Sequence, residues 1–431
     1  MNIAFHTLGC KVNQYDTQAM LELFTAAGHT VVPFDGPADV YVLNTCTVTG
    51  TGDKKSLQLA RRLKRLHPGC KLILCGCLAQ KKGEALLETG ADVILGTQYR
   101  SRVVELLEQT VKSGQPVCAV EPLKPDMPYE SLQVTSQTER TRATLKIQEG
   151  CCNRCTYCII PSVRGPIRSR PLREICDEAM RLSESGYCEI VLTGIHLSSY
   201  GRDLKDGTSL LTVLEALQSI PGILRIRLGS LEPTVATEEF TQALKKLDKV
   251  CPQFHLALQS GSDSVLRRMK RQYNTGMYLK AVANIRAVFP DAALTTDVLT
   301  GFPGETEEEF LETEAFIRKV GYARIHVFPY SRREDTPAAE MPGQLTTAEK
   351  ECRARKLIAV GNEVAAGWLR SMSGRETTVI PEEESDGCWY GYTPEYIRVE
   401  ISAMPGLTGG KPVRVRLGEV HGSQMTGTVI K

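Results

Sequence analysis

Short β-rich runs alternate with amphipathic segments along most of this chain, and that rhythm constrains the fold more than any other feature. IAFHTL (3–8), DVYVLN (39–44), KLILC (71–75) and DVILG (92–96) are each followed by a stretch of helical periodicity. Repeated strand then helix predicts a parallel sheet with helices on its faces, so residues 1–115 are expected to form an open α/β domain. Six further runs follow: ATLKIQEG (143–150), EIVLTGIH (189–196), ILRIRLGS (223–230), HLALQSG (255–261), ALTTDVLTGF (293–302) and ARIHVFPYS (323–331). Six βα units predict a partial barrel of parallel strands over 137–370, left by a long helix at 346–371. Between these domains PVCAVEPLKPDMPYESLQ (116–133) is Pro-rich and aperiodic, so 116–136 is expected to be a linker. Beyond 371, TTVIP, YIRVEI, KPVRVRL and GTVI stand between Gly and Pro turns and predict a small all-β barrel over 371–431.

The chain carries 15 cysteines, and their positions say more than their number. GCCNRCTYCIIP (150–161) sets four of them directly after the first expected barrel strand, on the face where barrel enzymes do their chemistry. Zinc sites usually draw two separated pairs from two turns, and no second CxxC stands nearby. Buried free thiols are the plain alternative, since Cys packs as a small apolar residue. Cys151, Cys155 and Cys158, read as CxxxCxxC, instead give three thiolates on one tight loop. That spacing suits an iron–sulfur cluster with one iron open to a small molecule, and leaves Cys152 over. Cys10, Cys46 and Cys77 each fall just past the end of one of the first three strands, where an open α/β sheet forms its ligand crevice. They converge there or are independent packing thiols; Cys75 should still lie within its strand.

Gly194, His196, Ser230, Glu232, Gln259, Asp297 and Gly301 stand near the expected C-terminal strand ends and are candidates for orienting a cofactor. Each could equally cap a helix or close a turn. Arg164, Arg168, Arg170 and Arg173 in RGPIRSRPLR follow the cysteine loop and are the best-placed candidates for phosphate contact. KKSLQLARRLKRL (54–66) and RRMKR (267–271) are further basic stretches that also fit solvated helix faces. The C-terminal module has six Lys or Arg against eight Asp or Glu, which argues against a strong general phosphate grip. Trp389, Tyr390, Tyr392 and Tyr396 fit base stacking or a small core. No apolar run approaches the length of a membrane span, and MNIAFHTLGC lacks the parts of a signal peptide. A cytoplasmic protein is expected.

IQEGCCNRCTYCIIPSVRG, placed after the first strand of a six-unit barrel, resembles the loop of the radical S-adenosylmethionine enzymes. HTLGCKVNQYD, VLNTCTVT and GCLAQ in the first domain, with LTGIHLSSYG, LQSGSDSVLRRM and GFPGETEEEF in the second, resemble their methylthiotransferase branch. The three parts of that branch match the chain nearly end to end, the last being a β-module called TRAM. HTLGCKVNQYD and LTGIHLSSYG look most like the enzymes that modify threonylcarbamoyladenosine beside the tRNA anticodon. Sister groups act on isopentenyladenosine in tRNA or on an aspartate of a ribosomal protein.

The resemblance implies two [4Fe-4S] clusters and S-adenosyl-L-methionine as cofactors. Cys151, Cys155 and Cys158 would hold the cluster whose open iron takes S-adenosylmethionine; Cys10, Cys46 and Cys77 would hold the other, which carries the sulfur delivered. Related enzymes usually have Asn or another non-thiol where Cys152 stands. Implied partners are tRNA and an electron donor such as a flavodoxin or ferredoxin, with the sulfur source open. Two other readings stay open: a non-enzymatic zinc and RNA-binding protein, and a one-cluster radical enzyme in which Cys10, Cys46 and Cys77 are structural.

Overall fold

The computed structural model describes residues 1–137 and 141–430. Residues 138–140, near the start of the expected barrel domain, and Lys431 lie outside the described residues. Among the described residues no helix is long and apolar enough to cross a membrane.

The apolar runs of the first domain form the strands Asn2–Thr7, Val40–Thr45, Lys71–Gly76 and Val93–Leu95. Thr30–Val31 and Val117–Ala119 join them at the two edges of a six-stranded sheet in which every pairing is parallel. Side chains alternate between two buried layers, with Ile3, Val42 and Ile73 on one face and Ala4, Tyr41 and Leu43 on the other. Across the sheet Thr30–Val31 lies beside Asn2–Thr7, which lies beside Val40–Thr45, so the chain reverses its direction of travel at the pair Asn2–Thr7 and Val40–Thr45. Neighbouring connections leave on opposite faces at such a switch point, which opens a crevice at the C-terminal strand ends.

The expected linker is more than a tether. Val117–Ala119 is the sixth strand of the sheet, and Leu132 and Val134 are buried against Tyr15 and Ala19. The Tyr129 hydroxyl then donates to the Lys146 carbonyl at 3.1 Å, fixing the strap to the first barrel strand.

Six parallel strands form the partial barrel: Arg142–Glu149, Glu189–Gly194, Arg225–Leu228, Gln253–His255, Ala293–Thr300 and Arg324–Pro329. The first three and the last three are continuous sheets, and the isolated parallel bridges Ile226–Val250 and Leu231–Leu256 join one to the other. The fourth strand ends at His255, short of the run HLALQSG: the Thr296 side-chain hydroxyl accepts the Leu258 N–H at 2.9 Å, and Gln259, at a left-handed φ of 67°, pairs again with Val298 as an isolated bridge. An unforeseen short strand, Arg168–Ser169, pairs antiparallel with Gln148 and Glu149. Apolar strand residues such as Leu145, Leu192, Leu294 and Val298 pack outward on the surrounding helices in one core.

A capping box between Thr346 and Glu349 starts the long helix Thr347–Ser371, whose Leu357 and Val360 join that core. The helix leads into a closed five-stranded barrel, Glu376–Ser385, Cys388–Tyr392, Arg398–Ser402, Val413–His421 and Gln424–Val429. This module docks at the N-terminal ends of the central strands, opposite the cysteine loop. Arg225 donates to the carbonyls of Thr378 at 2.7 Å and Tyr392 at 2.8 Å, and Arg227 to that of Pro394 at 2.8 Å. Buried Glu189 accepts from Arg227 Nε at 2.9 Å, so these guanidiniums enter the interface paired.

The docking also settles the aromatic residues. Tyr392 and Tyr396 stack with ring centroids 4.7 Å apart, and Arg142 covers both. Arg227 lies over Tyr396 and Arg398 over Tyr390, while Trp389 packs against the small barrel's core. Tyr392 and Tyr396 are thus held at the docking interface and Trp389 against the core, while Tyr390 lies under Arg398 on the module's own surface.

Candidate functional site

The cysteine loop begins where the first barrel strand ends. Gly150 has φ 71°, and a β-carbon there would lie 1.8 Å from the Pro166 carbonyl oxygen, so only glycine lets the chain turn so tightly. The Cys151 N–H donates to the Gly165 carbonyl at 3.0 Å, and Thr156 is pinned by its N–H to Met269 and its hydroxyl to Arg268. Cys151, Cys155 and Cys158 thereby line one cavity of about 150 Å³ at the barrel mouth, with His196, Ser230, Glu232 and Gln259 on the facing wall. Cys152 is exposed and outside that lining.

Four of the seven cofactor candidates therefore meet the three thiols. Gly194 acts at one remove: a β-carbon there would lie 2.8 Å from Cβ of Gln148, whose Oε1 accepts the His196 N–H at 2.7 Å. Asp297 and Gly301 do not line the cavity. The Asp297 carboxylate lies 3.3 Å from His255 Nε2, and Gly301 closes a turn by donating to Glu305 at 3.0 Å. Asp297 sits inside the strand Ala293–Thr300, whereas Gly301 directly follows its end.

Glu232 organises the polar wall. It accepts from Arg271 Nη2 at 2.7 Å and Asn153 Nδ2 at 3.0 Å, and His196 Nε2 lies 3.3 Å away. Burial pushes the carboxyl up, but His196, Arg271 and Asn153 outweigh it and hold Glu232 below the ordinary carboxylate range. Arg271 was legible only as part of a basic run; its side chain turns inward, with Nη1 3.1 Å from Cys155 Sγ. Asn153 and Tyr157 also line the cavity and carry no signal beyond lying inside the loop.

The donor set suits a metal cluster. Burial pushes the Cys151 thiol up to about 11 and Cys158 up to about 12, so the free thiols stay protonated at neutral pH. Cluster iron would supply the positive charge that makes them thiolates. The His196 Nδ1 atom is buried without a hydrogen-bond partner among the described residues and offers one further polar contact.

A second group of thiols stands at the switch point of the first sheet. Cys10 caps the helix Lys11–Ala26, Cys46 follows Val40–Thr45, and Cys77 opens the helix Cys77–Lys82. Two glycines let these strand ends crowd together. A β-carbon on Gly9, at φ 109°, would lie 2.9 Å from Cys46 Cβ, and one on Gly76, at φ 91°, 2.5 Å from the Thr45 carbonyl oxygen. Burial raises Cys46 and lifts Cys77 to about 11, and the neighbouring cysteines add to both shifts. Cys75 is buried in its strand with its thiol 3.6 Å from the Leu43 carbonyl, the packing role expected of it. Among the described residues no group of three or more His, Cys, Asp or Glu side chains is arranged to hold a metal ion. A cubane spaces its thiolates more widely, each on its own iron.

The short helix Ile160–Arg164, which begins two residues after Cys158, brings the barrel's cysteine loop against Cys77 of the first domain. Ile159 and Val163 pack directly on Cys77. On the other side Arg333 donates to Thr47 at 2.6 Å and Asp53 at 2.9 Å, tying the loop after Cys46 to the segment after the last barrel strand.

That arrangement corrects the reading of RGPIRSRPLR as a phosphate-facing run. Arg164, Arg168 and Arg170 are buried. Arg164 pairs with Glu149 and Asp16, Arg170 with Glu178 at 2.8 Å, and Arg168 donates to the Arg164 carbonyl. Only Arg173 reaches the surface. The buried partners Asp16, Lys146 and Glu149 complete an ion network between the domains, with Lys146 Nζ 2.7 Å from Asp16 and 2.6 Å from Glu149.

A barrel of six parallel strands with three cysteines at its mouth defines a class. Residues 145–317 match the Radical SAM superfamily, and residues 2–96 match "Uncharacterized protein family UPF0004". The fold is similar to that of the radical S-adenosylmethionine methyltransferase TsrM from Kitasatospora setae, with a TM-score of 0.58 at 14% identity, covering 78% of this chain and 77% of that one. Similarity over nearly the whole chain narrows the class. The chain is 42% identical to threonylcarbamoyladenosine tRNA methylthiotransferase MtaB of Bacillus subtilis, across 96% of this chain and 93% of that protein. It is 34% identical to MtaB of Thermotoga maritima, across 97% and 93%, and 36% identical to tRNA-2-methylthio-N(6)-dimethylallyladenosine synthase of Frankia casuarinae, across 88% and 70%. The chain belongs to the radical S-adenosylmethionine tRNA methylthiotransferase family.

Proposed function

We propose that this protein adds a methylthio group to carbon 2 of threonylcarbamoyladenosine beside the tRNA anticodon, in the cytoplasm, using two [4Fe-4S] clusters. The observation that carries the reading is the set of three thiols beside a polar wall in the barrel mouth, with Cys77 of the first-domain group packed on the adjoining helix Ile160–Arg164. One set lies at the barrel mouth beside a polar wall, and the other lies where a delivered sulfur could wait. The Bacillus subtilis relative named for threonylcarbamoyladenosine is 42% identical over 96% of this chain, against 36% over 88% for the dimethylallyladenosine synthase of Frankia casuarinae, which supports the first nucleoside.

When bound, the barrel cluster and S-adenosylmethionine supply the one-electron chemistry that the protein itself lacks. The chain's own residues do the rest. Cys151, Cys155 and Cys158 mount the cluster; Glu232, Arg271, His196 and Asn153 bind and orient the charged end of the cofactor; Ser230 and Gln259 complete the wall. Cys10, Cys46 and Cys77 hold the second cluster, and the Arg333 ties keep its loop beside the barrel mouth. A flavodoxin or ferredoxin supplies the electron.

The test is turnover by the anaerobically rebuilt enzyme on two tRNAs, one bearing threonylcarbamoyladenosine and one isopentenyladenosine. Methylthio product on the first alone is expected. Product on the second alone overturns the substrate assignment, and product on neither, with about eight irons bound, overturns the activity.

A further inference from the structure

Each group of three cysteines has one guanidinium resting on one of its sulfurs. Arg164 Nε donates to Cys77 Sγ at 3.1 Å, and Arg271 Nη1 donates to Cys155 Sγ at 3.1 Å. Neither arginine is free to move. Arg164 Nη1 is held by Glu149 at 3.0 Å and Asp16 at 3.3 Å, and Nη2 by Asn13. Arg271 Nη2 is held by Glu232 at 2.7 Å and Nε by the Tyr273 hydroxyl at 3.0 Å, with the guanidinium 4.8 Å from the Tyr273 ring centre. With those donors fixed, the planar fork has a donor left that points at sulfur.

The placement of Arg164 joins the two sites. It ends the helix that begins two residues after Cys158, while its partners Asn13 and Asp16 lie on the helix that Cys10 caps. Its side chain therefore crosses from the barrel's cysteine loop to the first domain's thiols. An arginine in proteins keeps its charge, so its hydrogen bond to sulfur stays charge-assisted. Such a bond stabilises a thiolate more when the cluster behind it carries the extra electron, and hydrogen bonding to sulfur is one of the levers that set cluster potentials.

We infer that Arg164 and Arg271 are paired positioning residues, each raising the reduction potential of one cluster by donating to a single cysteine sulfur, Cys77 and Cys155 respectively. The Arg164 half rests on the second cluster proposed above.

Two full-length proteins separate the halves. C151A/C155A/C158A keeps only the first-domain thiols, and C10A/C46A/C77A keeps only those of the barrel. After anaerobic rebuilding, iron content is measured first and the midpoint potential second, by redox titration followed by electron paramagnetic resonance. About four irons in the first protein support the two-cluster reading. No iron there overturns that reading and the Arg164 half with it, and leaves the Arg271 half to the second protein. R164Q is expected to lower the potential in the first protein and leave it unchanged in the second; R271Q does the reverse. R164K and R271K keep the charge but lose the fork, and their potentials should fall between. Where a glutamine variant loads no iron, its lysine counterpart is read instead. A potential unchanged in a loaded variant, or shifted equally in both proteins, overturns the inference.

Discussion

Cys152 sits between two cluster-competent positions yet points away from both, exposed and outside the cavity that its neighbours line. A fourth thiolate on the cluster would close the iron that the cofactor needs. Cys152→Asn should therefore keep about four irons at this loop and full turnover, whereas Ala at Cys151, Cys155 or Cys158 removes that iron and abolishes activity, as read by iron assay and product formation. The six proposed cluster cysteines stand out in the sequence by position, as a CxxxCxxC loop and three strand ends. The arginines do not. A run such as RGPIRSRPLR carries no mark of burial, since the carboxylates that take Arg164 and Arg170 inside, Asp16, Glu149 and Glu178, are far off in sequence. Arg271 was hidden in the same way among Arg267 and Lys270, which are exposed.

The longest elements follow from periodicity and caps, and the shortest from partners. The helix Thr347–Ser371 lies within a residue of where its pattern places it, whereas Val117–Ala119 is three residues in a Pro-flanked segment and becomes a strand only because an edge was open. Helix caps also predict acid behaviour. Thr306 and Glu309 form a capping box, and Arg268 holds Glu309 down to about 2 despite partial burial. A lowered carboxylate contributes stability that is present above the ordinary value of 4.5 and lost as pH falls toward 2. Glu309→Gln should cost about 1 kcal/mol at neutral pH, since Arg268 is one-third exposed, and should flatten the acid limb of the unfolding curve between those values. At the docked C-terminal barrel, Arg227→Ala strips Glu189 of its nearest cation inside the interface. A loss of about 3 kcal/mol is expected, with faster hydrogen exchange at 393–397 as the specific sign that the module has loosened.

Taken over all three domains, a net charge of +2 says little about a polyanionic partner, but the placement of free charge says more. The helix Gly50–Leu66 begins beside Cys46, and Lys54, Lys55, Arg61, Arg62 and Arg65 on its outer face make no ion pair among the described residues. This face starts at the joint between the domains, and we propose it as a contact for tRNA phosphates. Replacing Arg61, Arg62 and Arg65 with Ala should weaken tRNA binding and reduce its salt slope by about 0.7–0.9 for each phosphate no longer neutralised, with iron content unchanged. The architecture itself was legible as three parts, but their relation was not: nothing in the alternation of strands shows that the C-terminal module docks at the end of the barrel opposite the cysteines.

One chain, with two groups of three cysteines beside a five-residue helix, is thus proposed to methylthiolate threonylcarbamoyladenosine in tRNA. The decisive measurement is mass spectrometry of tRNA nucleosides from a strain lacking the gene. Loss of 2-methylthio-threonylcarbamoyladenosine is expected, with its unthiolated precursor accumulating and the isopentenyl series unchanged. Persistence of that nucleoside in a strain with no second enzyme to make it would mean that this chain acts on something else.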